Sequence, residues 1–433
     1  MHAFESKAQR KATYSLLSNQ HVTRYALSIA AWNACAARAA HHAFAYVPLD
    51  GSSISLRDPY KLRGTGPVGP RSCNARGFIA MNAIAVSPAG AALGICGQAF
   101  WKRTETKAKK SRIRRKFAEK ESHRWVQVAQ HVAKAFKRAG HCKPWFQLDR
   151  AGDAGDVLLH AVKHDWLITV RAAHNRRLMI DGPRVDLWTE LAKQPVMGEY
   201  FLPVAPNPKR TERTARMRVR ACRVTLRLRN KWTKTIRNVT LGVVLAREEG
   251  TTPTGEKPLE WMLYTTAPMT SWEEVQGVVQ GYVHRWKIEQ FHYLWKSGHC
   301  NVEATCLHKR ERILKWSAIL SSVAMRVLEL TQQSRAEPES PASKLLSADE
   351  IEALILLRNP RGFNPKQMPS VGQAVLWLGE LGGFMGRGKG VPPGPTVVGR
   401  GLEKLGPVII ALQTLKQRKA TAKRGAKKRS GER

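Results

Sequence analysis

Residues 280–300, QGYVHRWKIEQFHYLWKSGHC, repeat polar side chains at a helical interval. Tyr282, Arg285, Glu289 and Lys296 stand at offsets of 0, 3, 7 and 14. At about 100° per residue they fall within roughly 60° of one another, so one helical stripe presents an aromatic hydroxyl, a guanidinium, a carboxylate and an ammonium. Ile288, Phe291, Leu294 and Trp295 take the other face and are expected to be buried. Two cations flanking one carboxylate suit a phosphodiester beside a metal ion. Glu289 would offer oxygen to a divalent cation, Arg285 would bind phosphate oxygens bidentately, and Lys296 would act as a point charge. Taken alone, Arg285 and Glu289 are equally an ordinary i,i+4 pair on a surface helix.

The composition fits a polyanionic partner. Lys and Arg number 72 against 33 Asp and Glu, a net charge of +39, which surrounds the chain with a positive field. A basic ribosomal or chromatin-type protein shares that charge, but seldom with 433 residues, 43% hydrophobic content and 13 Trp. The chain has material for a sizeable core and for two or three domains, or one large domain with an insertion. Its seven cysteines are scattered without a CxxC pair and read as reduced thiols in a cytoplasmic protein. His299, Cys300, Cys306 and His308 come nearest to a metal-binding cluster, but their spacing matches no zinc site. No apolar run opens the sequence as a signal peptide would, and none is long enough for a membrane span.

Residues 9–18 and 22–40 read as helices. In 43–56, AFAYVPLDGSSISL, an apolar run ends in Asp50 before Gly51, Ser52 and Ser53. That pattern predicts a carboxylate at the end of a buried strand, although Asp before Gly is also a common turn former. Strands follow at 77–86 and 91–101. The basic run 102–116 is either a solvated charge run or a contact to a DNA backbone. Residues 119–138 form a helix with Trp125, Val126, Val128, Val132 and Phe136 on its apolar side, stopped by Gly140. A strand at 144–148 delivers Asp149, Arg150, Ala151, Gly152 and Asp153; Asp153 either supports Asp149 or, with Asp156, caps the next helix.

Strands are expected at 166–171, 198–204, 217–228, 239–247 and 259–265, forming a β-rich insertion. Arg216, Arg218 and Arg220 alternate on one face of a strand, whereas Arg223, Arg227 and Arg229 have the opposite parity. Such a face suits a DNA backbone, or is a solvated edge. Beyond the signature, 310–332 is an apolar helix and 334–344 a linker. Another helix at 370–385 ends at Gly382 and Gly383, 386–395 is a loop, and 397–415 is a last amphipathic helix before a basic tail.

The pattern Tyr-x2-Arg-x3-Glu-x6-Lys resembles the YREK signature of bacterial cut-and-paste transposases of the DDE type, the insertion sequence four family. Four residue types at three spacings are far more specific than a lone glycine motif. The resemblance extends, with gaps, over residues 9–405. It includes the strand-then-hydroxyl context of Asp50, the Asp-Arg-x-x-Asp of residues 149–153, and Glu119-Lys120-Glu121-Ser122 followed by Trp125. Ala151 departs from it, since the family often has Glu there.

The resemblance implies an α/β fold: a ribonuclease-H-like catalytic core interrupted by a β-rich insertion, with helical N- and C-terminal regions. The divisions are a partial DNA-binding region (1–42), the core in two parts (43–165 and 266–332), the insertion (166–265), a helical dimerisation region (333–415) and a basic disordered tail (416–433). It further implies that Asp50, Asp149 and Glu289 are catalytic and hold two Mg²⁺, with Mn²⁺ as a substitute. Tyr282, Arg285 and Lys296 would hold phosphates, and Arg150 would support them. Trp261 matches a position that stacks on a flipped base in hairpin-forming relatives, with Trp286 as the other aromatic candidate.

The implied partners are double-stranded DNA, as transposon ends and target, and a second copy on DNA or a full-length transposase. The implied place is the bacterial cytoplasm, at the nucleoid. The helical segment before Asp50 is shorter than the family's. This keeps open a shortened, non-catalytic regulator that binds and inhibits an intact transposase; a structure-selective nuclease on the same fold is a third reading.

Overall fold

Residues Phe44–Leu56 form strand β1, whose first half is buried on both faces by small and apolar side chains. The computed structural model describes residues 6–58, 61, 63–70, 73–104, 121–178, 185–204, 206, 208, 210–230, 235–386 and 392–430. It is a mixed α/β protein. The other strands are β2 (Gly66–Pro67), β3 (Arg76–Val86), β4 (Ala92–Trp101), β5 (Lys143–Leu148), β6 (Leu167–Arg171), β7 (Val196–Val204), β8 (Arg213–Arg229), β9 (Ile236–Glu248) and β10 (Glu260–Thr265). They make a ten-stranded sheet in the order β2-β3-β1-β5-β6-β10-β9-β8-β7, with β4 also on β3. Among the described residues only β1 with β5 and β5 with β6 run parallel. The strands expected as an insertion extend this same sheet, because β10 pairs antiparallel with β6.

Asp50 does not end its strand. Gly51, Ser52 and Ser53 continue β1, since β3 pairs with it through Leu56↔Arg76, and cross-strand pairing outweighs their turn preference. Ala45, Val47 and Leu49 face the main core with α2 (Arg24–Ala39), α3 (Ser122–Ala139) and α4 (Gly155–Lys163). The five apolar residues expected on α3 are all buried, and Gly140 closes it at φ 153°. Another short helix, α5 (Leu187–Ala192), was not anticipated. The opposite face of β1 carries Tyr46, packed under α6 (Trp272–His284) so closely that a Cβ on Gly281 would lie 2.6 Å from its ring.

Contacts divide the chain into residues 1–290 with 305–319, and residues 291–304 with 320–433; α7 (Lys287–Lys296) and α8 (Arg310–Ala336) run across the divisions. The first unit contains α1 (Lys7–Ser18) and the sheet. In the second, α9 (Ala348–Arg358), α10 (Val371–Leu381) and α11 (Pro395–Ser430) enclose a core around Leu330, Leu354, Trp377 and Leu378. Capping boxes start α9 at Ser347 and α10 at Ser370, each satisfying two backbone donors. The residues expected as a disordered tail continue α11 through Ser430, helped by helix-forming Lys, Arg and Ala, and Lys416 pairs with Asp349 and Glu352. Most of the basic run 102–116 lies outside the described residues. No helix among the described residues is long and apolar enough to cross a membrane.

Candidate functional site

Charged residues stand where the parallel pairing stops. Leu49↔Leu148 closes the β1–β5 register and Leu148↔Val170 closes β5–β6, so Asp50, Asp149 and Arg171 come next on three adjacent strands. Pleat alternation puts them on the face that carries Tyr46, Trp145 and Thr169. The carboxyl ends of neighbouring parallel strands are the usual ligand crevice of α/β sheets.

The signature does not form one continuous helix. Around Arg285 and Trp286 the backbone bonds to the third preceding carbonyl, Arg285 N–H to Tyr282 and Trp286 N–H to Val283, a tight turn that separates α6 from α7. The expected single stripe is therefore divided. Tyr282 is buried with its ring 5.8 Å beneath the Arg285 guanidinium. Arg285, itself buried, reaches Glu289 at 3.3 Å and Asp50 at 3.6 Å. Lys296 is paired with Glu303 at 3.8 Å. The buried face was expected correctly, for Ile288, Phe291, Leu294 and Trp295 are all fully covered.

Asp50 accepts the Gly51 N–H at 2.7 Å. Burial, then the carboxylates of Asp149 and Glu289, push its pKa up to about 7 against the opposing pull of Arg285. Burial works against the Arg285 charge, but Tyr282, Asp50 and Glu289 outweigh it and raise its pKa. Asp149 accepts the Ala151 N–H at 2.9 Å and so caps the turn Arg150–Gly152. Position 151 contributes a backbone donor that Ala supplies as well as Glu. Asp50 and Glu289 both stand against Arg285, and two carboxylates are a competent pair of oxygen donors for a divalent cation.

Trp286 is 61% exposed, whereas Trp261 is half-buried, edge-on to Tyr282 at 5.5 Å. Arg150 is exposed on its turn. The Asp153 side chain does not cap α4, whose N-cap is Ala154; it is buried and accepts from the Ala173 N–H and from Arg176. His299 faces Glu403 at 3.7 Å and the Cys300 thiol donates to the Leu320 carbonyl, so these two are engaged separately rather than gathered as metal ligands.

The β8 arginines have the expected opposite parities, but the first set is partly neutralised. Arg216 pairs with Glu199 at 2.7 Å, Arg218 with Glu249 at 3.0 Å and Arg220 with Glu249 at 2.7 Å. Arg223, Arg227 and Arg229 are exposed.

Sequence reasoning did not single out Arg171. It carries a signal, a cation closing an apolar strand run, but that means little until the strands meet.

Compared with models of known protein families, the chain matches none.

Proposed function

We propose that the chain is a DDE transposase that cleaves DNA at transposon ends and joins it to target DNA. The observation that carries this reading is the grouping of Asp50, Asp149 and Glu289, in which burial first, and then the two neighbouring carboxylates, raise Asp50 to about 7. Crowded carboxylates of this kind are relieved by a divalent cation. The meander of β1, β3 and β4, followed by the parallel strand β5 that leads into Asp149, supports the ribonuclease-H-like part of the reading.

Asp50, Asp149 and Glu289 would hold Mg²⁺ or Mn²⁺. The bound cations would supply Lewis acidity to the attacking and leaving oxygens of an in-line displacement. Arg285, already held between Asp50 and Glu289, would neutralise a phosphate oxygen, and its stacking on Tyr282 fixes the guanidinium plane. Trp286 offers an exposed ring to an unpaired base. Lys296 would have to leave Glu303 to reach a phosphate. The net charge of +39 supports double-stranded DNA as partner; the resemblance to the transposase family adds a second copy on the DNA through the C-terminal helices and a place at the bacterial nucleoid.

The test is cleavage and joining of pre-nicked transposon-end DNA with Mg²⁺ or Mn²⁺. Metal-dependent joining by the wild type, lost in Asp149→Ala and Glu289→Ala, is the expected result. DNA binding without chemistry in the wild type would overturn it in favour of a regulator, and cleavage without joining in favour of a nuclease.

A further inference from the structure

Asp50 is one end of a polar rung across three strands. It stands opposite Asn82 in the β1–β3 ladder, and Asn82 stands opposite Gln98 in the β3–β4 ladder. Residues opposite one another leave the sheet on the same face, with Cβ atoms about 5 Å apart. The rest of that face of β3 is apolar: Phe78, Ala80, Ile84 and Val86 are buried. Asn82 is 0% exposed and Gln98 4%. Two carboxamides in such a place cost more than an apolar pair unless they have something to hold.

The internal bond gives their direction. Gln98 Nε2 donates to Asn82 Oδ1 at 2.8 Å. With its oxygen engaged on the β4 side, the Asn82 carboxamide turns its NH₂ group toward β1, where the next member of the rung is Asp50. The Asp50 carboxylate already accepts from Gly51 and lies 3.6 Å from Arg285. Gln98 Oε1 is buried without a hydrogen-bond partner, so the far end of the rung is incompletely satisfied while the Asn82 oxygen is held.

We infer that Asn82, oriented by Gln98, is a positioning residue for Asp50. Its amide donates to the carboxylate and keeps the other carboxylate oxygen turned toward Glu289 when a cation is seated. This rests on the metal-centre reading above. Groups that orient metal ligands in this way are worth about 10- to 100-fold in metal affinity.

The experiment uses the full chain and Mn²⁺ alone, with affinity measured by calorimetry and folding by thermal melting. Asn82→Leu should melt no lower than wild type without metal, since leucine fills the same buried space, yet bind Mn²⁺ about 10- to 100-fold more weakly. Asn82→Thr, which keeps a donor, should recover most of that loss, and Gln98→Leu should show a smaller loss in the same direction. A purely structural role would lower the melting temperature and leave Mn²⁺ affinity unchanged. If Asn82→Leu does not fold, Gln98→Leu and Asn82→Thr decide: wild-type affinity in Gln98→Leu overturns the role, and weakening in it with near-normal binding in Asn82→Thr supports it. Mn²⁺ binding by wild type, with equal binding by a folded Asn82→Leu, overturns the role and leaves the metal centre standing. Failure of wild type to bind Mn²⁺ at all overturns both.

Discussion

Asp50 and Asp149 are the residues that immediately follow Leu49 and Leu148, the last register pair of two parallel strands. Ninety-nine residues apart in sequence, they become neighbours because β5 takes its place beside β1 rather than beside β4. Everything proposed for the site depends on that placement, and the following outcomes test it.

Metal binding should compete with a proton on Asp50. Its pKa of about 7 without metal means that affinity for Mn²⁺ should rise about tenfold per pH unit between about pH 5 and 7, then level off. The same shift has an opposite effect on folding without metal. The native state holds a proton that the unfolded chain releases near its ordinary value of 3.8, so stability should fall as pH rises from about 4 to 7. Calorimetric titration and thermal melting across this range check both signs. Glu289→Gln removes one of the repelling carboxylates and should move the affinity midpoint down.

Arg171 should contact substrate phosphate. It closes the third parallel strand and is held by a bond from its guanidinium to the Glu260 carbonyl at 3.1 Å. Arg171→Ala should weaken DNA binding across sequences and reduce the slope of log affinity against log salt by about 1, while Arg171→Lys should keep most of that slope. Fluorescence anisotropy at a series of salt concentrations reads this, and an unchanged slope in Arg171→Ala would exclude a phosphate contact.

The buried pair Asp153–Arg176 should be costly to break. Arg176 also lies over the Tyr264 ring at 5.1 Å, and the Asp153 side chain has no exposed surface. Arg176→Ala leaves that carboxylate buried without its cation and should cost about 3 to 5 kcal/mol in urea denaturation. Asp153→Asn in the same background should return part of the loss, since the charge left behind is removed.

Gly281 fixes how closely α6 lies on the sheet. A methyl group there would sit 2.6 Å from the Tyr46 ring and 2.8 Å from Gln147 Nε2. Gly281→Ala should destabilise by about 1 to 3 kcal/mol. It should also lower metal-dependent cleavage, because Arg285 and Glu289 follow directly from this helix. Wild-type stability in Gly281→Ala would show that the helix can move away without loss.

Much of this was legible in the residues. Apolar runs gave every described strand except the two-residue β2, since alternation and length suffice for longer elements whose partners lie in the same sheet. The apolar side of α7 was correct for the same reason: helical spacing alone decides which of its residues can share a face. Gly51 was misread because a turn former answers to its local chain only until a partner strand claims its backbone. The kink at Arg285 was missed because a regular spacing of polar residues does not reveal a change from one hydrogen-bonding pattern to another.

The sequence by itself determined the charge, the number and type of most elements, and the identity of the acidic and basic residues available for chemistry, because these follow from composition and short-range periodicity. Only the tertiary structure decided that Asp50 and Asp149 adjoin, that Arg171 stands in their row, that Arg216, Arg218 and Arg220 are engaged by glutamates, and that Asn82 and Gln98 stand in one row with Asp50. Those relations are set by strand order and register, which depend on which distant segments bury one another's apolar faces rather than on any local pattern.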